Sequence, residues 1–485
     1  MNRLRLACGR IGEMKIFNSL TRTEEELVPI KSGEVGMYTC GPTVYDYPTI
    51  GNWRTYVLGD LIFRSLKYLG LKVNYVMNLT DVGHLTGDNS GDADTGEDRL
   101  EKAAKKERKT AWDIAAFYGD DFIGSFEKLN ILKPTILCKA TDHINEQIEM
   151  VKVIMSKGLA YVISDGIYFD VAGYELRGNK YGELSNLDQI REGARVEINP
   201  EKKDPRDFAL WKFSYSGGRS FDSAQDDSRR DMEWESPWGM GFPGWHIECS
   251  VMSTKYLGNQ FDLHLGGEDL KSTHHPNEIA QTEAATGKIP FVRYWMHGAF
   301  LLVDGGRMGK SVGNAYTLAD IEKKFDVLAL RYFYLTGHYR KQINFTWESL
   351  GAAAEALSRL KKMSADWKVG DFGLSEYEDR FKTAIEDDLN MPQALAVVWE
   401  MVKSDKPEEA KKKSLLKFDE ILGLCLAETA RSQQGVSNES AGSTEIDGLW
   451  KRRVQLRAEK KFKEADEIRD KLIAMGVKVE DKPLK

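Results

Sequence analysis

The stretch from Met37 to Leu79 constrains the fold most, because it reads as strand, turn, helix and second strand in succession. Residues 37–40 (MYTC) form a short apolar run that stops at Gly41-Pro42. From Arg54 the spacing turns helical, with Leu58, Leu61, Ile62, Ser65, Leu66 and Leu69 on one face and Gly70 as the stop. Residues 72–79 (KVNYVMNL) then read as a strand. Two strands joined through a helix form a βαβ unit, and such units build parallel sheets covered by helices.

Further elements follow the same alternation. Residues 102–132 are predicted helical, 261–265 a strand, 276–286 a helix closed by Gly287, and 299–303 a strand closed by Asp304-Gly305-Gly306. From Thr317 onward the chain reads as almost wholly helical. Residues 81–98, rich in Gly and Asp, read as a loop, and 215–230 (YSGGRSFDSAQDDSRR) as an exposed insertion. Residues 428–444 have linker composition. Beyond them, residues 449–485 carry twelve Lys and Arg against seven Asp and Glu. A positive tail on a chain of formal net charge -7 points to a phosphate-bearing partner, although a solvated amphipathic helix would carry the same pattern.

The five cysteines (Cys8, Cys40, Cys138, Cys249 and Cys425) are odd in number and widely spaced, which excludes a disulfide framework and fits a reducing cytoplasm. No run of about 18 apolar residues exists, so no membrane span is expected. Residues 1–13 lack a continuous apolar core and are expected to be a disordered extension ahead of Met14, which reads like a fresh start.

Two short motifs carry phosphate chemistry. TIGN, residues 49–52, lies between a strand and a helix. Gly51 lets a nucleotide approach the backbone, the helix start offers N–H groups and a positive dipole end, and Thr49 and Asn52 add side-chain donors. RMGKS, residues 307–311, follows a strand and a Gly-Gly turn. There Lys310 can move onto a phosphate as charge develops. The spacing of a Walker motif is absent.

TIGN and RMGKS resemble the HIGH and KMSKS signatures of class I aminoacyl-tRNA synthetases, with Thr49 and Asn52 in place of the histidines and Arg307 and Gly309 as further departures. YTCGPTVYD, PGWHIECSVM and HHPNEIAQ narrow the resemblance to the cysteinyl-tRNA synthetase family, over Met14 to about Ala427. That resemblance implies an α/β fold: a Rossmann-like parallel-sheet catalytic domain with a connective insertion, followed by a C-terminal all-α helical domain. The implied divisions are 14–130 and 236–312 for the catalytic halves and 131–235 for the insertion. A stem-contact region at 313–360, an anticodon-binding helical domain at 361–427 and a basic tRNA-binding segment at 445–485 would follow.

The resemblance further implies one zinc ion on Cys40, Cys249, His274 and Glu278. Trp245, His264, Thr80 and Asp269 would contact substrate cysteine. Thr49, Ile50, Gly51, Asn52, Met308, Gly309, Lys310 and Ser311 would line an ATP–Mg²⁺ site, with Lys310, Thr49 and Asn52 stabilising charge. The implied partners are tRNA(Cys), L-cysteine and ATP, for a cytoplasmic monomer with no membrane. Residue by residue, blander accounts compete. Cys40 and Cys249 suit core packing, Glu278 suits a capping acid two residues after Pro276, and Trp245 suits the core. Two other functions compete as well: a cysteine-activating ligase of thiol biosynthesis, and an inactive tRNA-binding paralogue.

Overall fold

In a computed structural model, residues 14–83, 85–86, 97–185, 199–214, 230–309, 312–427, 453 and 461–474 are described. The chain divides into two compact units, Met1–Leu357 with Val369–Leu424, and Ser358–Lys368 with Cys425–Lys485. The first holds the elements that matter for the site: β1 (Glu34–Thr39), α1 (Ile50–Tyr68), β2 (Lys72–Leu79), β3 (Ile136–Lys139), α2 (Trp245–Leu257), β4 (Phe261–Gly267), α3 (His274–Thr286) and β5 (Val292–Gly298). The five strands form one sheet in the order β5-β4-β1-β2-β3, every neighbour parallel. Met37 on β1 pairs with Tyr75 on β2 and with Leu263 on β4. Tyr38, Val76, Met77 and Leu265 are fully buried, as expected of parallel strands covered on both faces.

Several boundaries differ from the sequence reading for identifiable reasons. The first helix begins at Ile50 and not Arg54, because Thr49 and Asn52 close a capping box around its first turn. The helical stretch expected over 102–132 is two helices, Arg99–Glu107 and Ala111–Lys128, broken where Arg108 turns left-handed at φ 55°. β3 lies inside the stretch assigned to the insertion, yet it extends the parallel sheet. The insertion proper is a five-stranded antiparallel sheet: Ala160–Ile163, Gly166–Phe169, Ala209–Phe213, Trp234–Ser236 and Gly239–Pro243. After Thr317 one strand interrupts the helices, Ile343–Phe345, which runs parallel to Leu301–Val303. Helices Ser375–Glu386, Met391–Lys403 and Glu408–Leu422 follow, with Phe381 stacked on Phe418 at 4.2 Å. Of the basic C-terminal segment, helix Phe462–Ala474 is described. Residues 1–13, 215–229 and 428–444 lie outside the described residues. No described helix is long and apolar enough to cross a membrane.

A buried ionic hub ties α1 to the later helices. Asp60 accepts hydrogen bonds from Arg64 Nε (2.8 Å), Arg331 Nη2 (2.6 Å) and the Leu132 backbone N–H (2.8 Å). Arg331 also donates to the carbonyls of Leu422 (2.7 Å) and Leu129 (3.0 Å). Gly423, at φ +63°, lets the guanidinium close in: a Cβ there would lie 2.6 Å from Arg331 Nη2.

Candidate functional site

β1 and β4 are neighbours, but the chain leaves them toward opposite edges of the sheet. A crevice opens beyond the carboxyl ends of two such strands, and ligands of doubly wound folds bind there. Cys40 directly follows β1, and its N–H donates to Leu265 O on β4 at 3.1 Å. Gly41 must pass against Asn78, since a Cβ would sit 1.7 Å from that residue's carbonyl oxygen. Asp269 follows β4 in a short 3-10 turn. Its side chain is open to solvent, yet desolvation pushes its carboxyl pKa up, a combination that belongs to the floor of a cleft.

At this switch point the structure brings together Cys40, Cys249, His274 and Glu278, whose donor atoms all lie within 4.8 Å of one another. All four are buried. Cys40 comes from a strand end, Cys249 from α2, and His274 and Glu278 from one face of α3. The helix starts at His274, two residues before Pro276, and Glu278 lies a full turn inside. The spacing of four therefore sets its carboxylate 3.0 Å from His274 Nε2, and Glu278 does not cap the helix.

The donor set fits zinc. Two sulfurs each about 2.3 Å from a tetrahedral zinc stand roughly 3.8 Å apart, and the Cys40 and Cys249 sulfurs are 3.8 Å apart. Cys40 Sγ is 3.7 Å from Glu278 Oε1. Burial drives the Glu278 carboxyl upward, but His264 and His274 outweigh it and hold the pKa at about 2, so the group is a ready anionic ligand. Burial pushes the Cys40 thiol up, while hydrogen bonds from Cys40 and His274 make Cys249 the more acidic of the pair. A second set, Cys40, His264, His275 and Glu278, is equally compact.

The structure adds residues that the motifs did not single out. Asn78 Oδ1 accepts from Gly41 N at 2.9 Å, and Asn78 Nδ2 donates to Thr80 Oγ1 at 3.1 Å. The Thr80 hydroxyl donates in turn to the buried Glu248 at 3.0 Å, which links the end of β2 to α2. His275 Nε2 lies 3.5 Å from Cys40 Sγ, and His275 Nδ1 lies 2.8 Å from His297 Nε2. The only hint of these in the sequence is adjacency, Glu248 beside Cys249 and His275 beside His274.

Trp245 and His264 do not share one wall. Trp245 packs on the His274 ring at 4.4 Å, whereas His264 stacks on Trp295 at 4.4 Å and meets Glu278 Oε2 at 3.0 Å.

The two phosphate motifs meet. A Cβ on Gly51 would lie 3.3 Å from Met308 Cε, so the 307–309 segment rests on the start of α1. Gly309 N donates to Asn314 Oδ1 at 2.8 Å. Thr49 and Asn52 are engaged with each other (Thr49 N to Asn52 Oδ1, 2.9 Å), and Ile50 N donates to Tyr316 O at 2.9 Å. The helix start thus offers a nucleotide fewer donors than the motif suggests. Lys310 and Ser311 lie outside the described residues.

Comparison with known proteins agrees with this arrangement. The family described as tRNA synthetases class I (C) catalytic domain matches residues 26–355, and a DALR domain matches residues 380–427. The chain is 45% identical to cysteine–tRNA ligase 1 of Burkholderia lata, over 97% of this chain and 95% of the relative. It is 41% identical to cysteine–tRNA ligase of Treponema denticola, over 96% and 98% respectively. Among solved structures, methionyl-tRNA synthetase of Mycobacterium tuberculosis with methionyl-adenylate superposes with a TM-score of 0.53 at 15% identity, covering 81% of this chain and 90% of that one, a likeness of fold. A parallel sheet with this switch-point site, the two domain matches and the near full-length identity all agree: the chain belongs to the cysteine–tRNA ligase family of class I aminoacyl-tRNA synthetases.

Proposed function

We propose that this protein is a cysteine–tRNA ligase, which activates L-cysteine with ATP and transfers it to the 3′-terminal adenosine of tRNA(Cys). One observation carries the reading: the buried Cys40–Cys249–His274–Glu278 cluster at the sheet's switch point, in a chain of this family. Zinc held by those four residues supplies a soft Lewis acid that binds the substrate as thiolate and takes a serine hydroxyl poorly.

The chain's own groups do the rest. Asp269, exposed on the cleft floor, receives the ammonium of the amino acid. Trp245 closes one side of the pocket against larger side chains. His264 holds Glu278 by its hydrogen bond, and Thr80 braces α2 through Glu248. ATP with Mg²⁺ lies along Gly51, where the absence of a side chain admits the nucleotide. The 307–311 loop closes over it, with Lys310 on the leaving phosphates.

The substrate carboxylate then attacks the α-phosphorus, and pyrophosphate leaves. In the second step the terminal 2′-hydroxyl of the tRNA attacks the adenylate carbonyl, and AMP leaves. No protein nucleophile enters either step, so catalysis is positioning and electrostatics. Because a polar mismatch at the thiol site can discriminate by about 10⁴ or more, no editing domain is needed.

In the same reading, residues 14–312 form the catalytic domain, interrupted by its insertion. Residues 313–360 face the acceptor stem, and 361–427 and 445–485 hold the anticodon arm. The protein works as a cytoplasmic monomer. Charging of tRNA(Cys) with labelled cysteine tests this reading: accumulation of cysteinyl-tRNA is expected. Adenylate formation without charging would replace it by the thiol-biosynthesis ligase.

A further inference from the structure

The connection from Cys40 to Thr49 carries more than its two ends. Tyr47 is 39% exposed, with its ring 6.3 Å from Phe117 and 5.0 Å from Tyr118. Phe117, 46% exposed, lies on the helix Ala111–Lys128. The buried side of that helix stacks Phe122 on Trp53 at 5.1 Å, in the first turn of α1. The exposed rings therefore sit beside the end of α1 that carries residues 49–52.

Cations lie over these rings. Lys109 Nζ is 4.8 Å from the centre of Phe117, and Arg99 Cζ is 5.2 Å from the centre of Tyr45. Residues 99–109 carry six Lys and Arg against Glu101 and Glu107, in a chain of net charge -7. Glu107 is engaged by the Tyr118 hydroxyl (2.6 Å) and by Lys109 (2.9 Å), which mutes its repulsion toward an anion. Exposed aromatic faces interleaved with cations are the surface chemistry of single-stranded nucleic-acid binding: bases stack, and the backbone follows the positive charge.

We propose that Tyr47 and Phe117, with Lys109, form a stacking platform that receives the unpaired 3′ end of the tRNA at the entrance to the site. The proposal rests on the tRNA-charging reading and names where that substrate's terminus is held. Charge complementarity favours a nucleic acid over an apolar protein partner, and continuity with the Cys40–Thr49 connection favours the end that must enter the site.

Phe117→Ala separates the two claims. Cysteine-dependent pyrophosphate exchange, which needs no tRNA, is expected to stay at the wild-type rate. The kcat/KM for tRNA is expected to fall about tenfold, the loss of one stacked base, and Phe117→Tyr is expected to restore it. Binding of tRNA truncated by its four 3′-terminal nucleotides is expected to be equal for wild type and Phe117→Ala. Unchanged charging by Phe117→Ala would overturn the platform while leaving the ligase reading intact. Equally weakened binding of the truncated tRNA would also overturn it, by moving the contact away from the 3′ end. A wild-type protein that exchanges pyrophosphate but charges no tRNA would overturn the reading beneath it.

Discussion

Cysteine 249 replaced by alanine is expected to give a folded protein that no longer retains zinc and no longer activates cysteine. The sulfur supplies one of four buried donors, 3.8 Å from its partner Cys40. Loss of an outer hydrogen-bond partner of a metal ligand typically costs about 10–100-fold in affinity or activity, and loss of a ligand itself costs more. Zinc content after dialysis against a chelator, read beside cysteine-dependent pyrophosphate exchange, checks this. The substitution also decides between the two compact donor sets, because the Cys40–His264–His275–Glu278 set does not contain Cys249. Stoichiometric zinc and full exchange in the variant would move the metal to that second set.

The largest effect on stability is expected at Asp60. Its carboxylate is buried and answers two arginines and a backbone amide. Removing one member of a buried ionic group leaves the others uncompensated, at a cost of about 3–5 kcal/mol. Asp60→Ala leaves Arg331 fully buried with no carboxylate partner, in the contact between α1 and the stretch that ends at Gly423. Urea denaturation followed by circular dichroism should show a loss of that size. A midpoint within error of wild type would mean that Arg331 is satisfied by the carbonyls of Leu129 and Leu422 alone.

How much of this was legible in the sequence follows from the range of each interaction. The βαβ unit could be read because strand β2 and the stop at Gly70 are local patterns. The four cluster residues could be named because each sits in a distinctive word of sequence, although no pattern reveals that α2 and α3 bring them within 4.8 Å. The true start of α1 was hidden because Thr49 and Asn52 look like phosphate donors in the sequence and act as a capping box in the fold. β3, of four residues, and Ile343–Phe345, of three, are too short to show a period and exist only through their pairing partners. The bond from His297 to Ser19 spans 278 positions, and Asp60 meets Arg331 across 271, distances at which no local pattern speaks.

Pyrophosphate exchange by the zinc-loaded protein, with cysteine and with serine side by side, tests the central claim most directly. The account predicts exchange with cysteine and a rate with serine lower by roughly 10⁴ or more, the discrimination open to a site built around one polar group. Comparable exchange with serine, or none with cysteine from folded and metal-loaded protein, would contradict it.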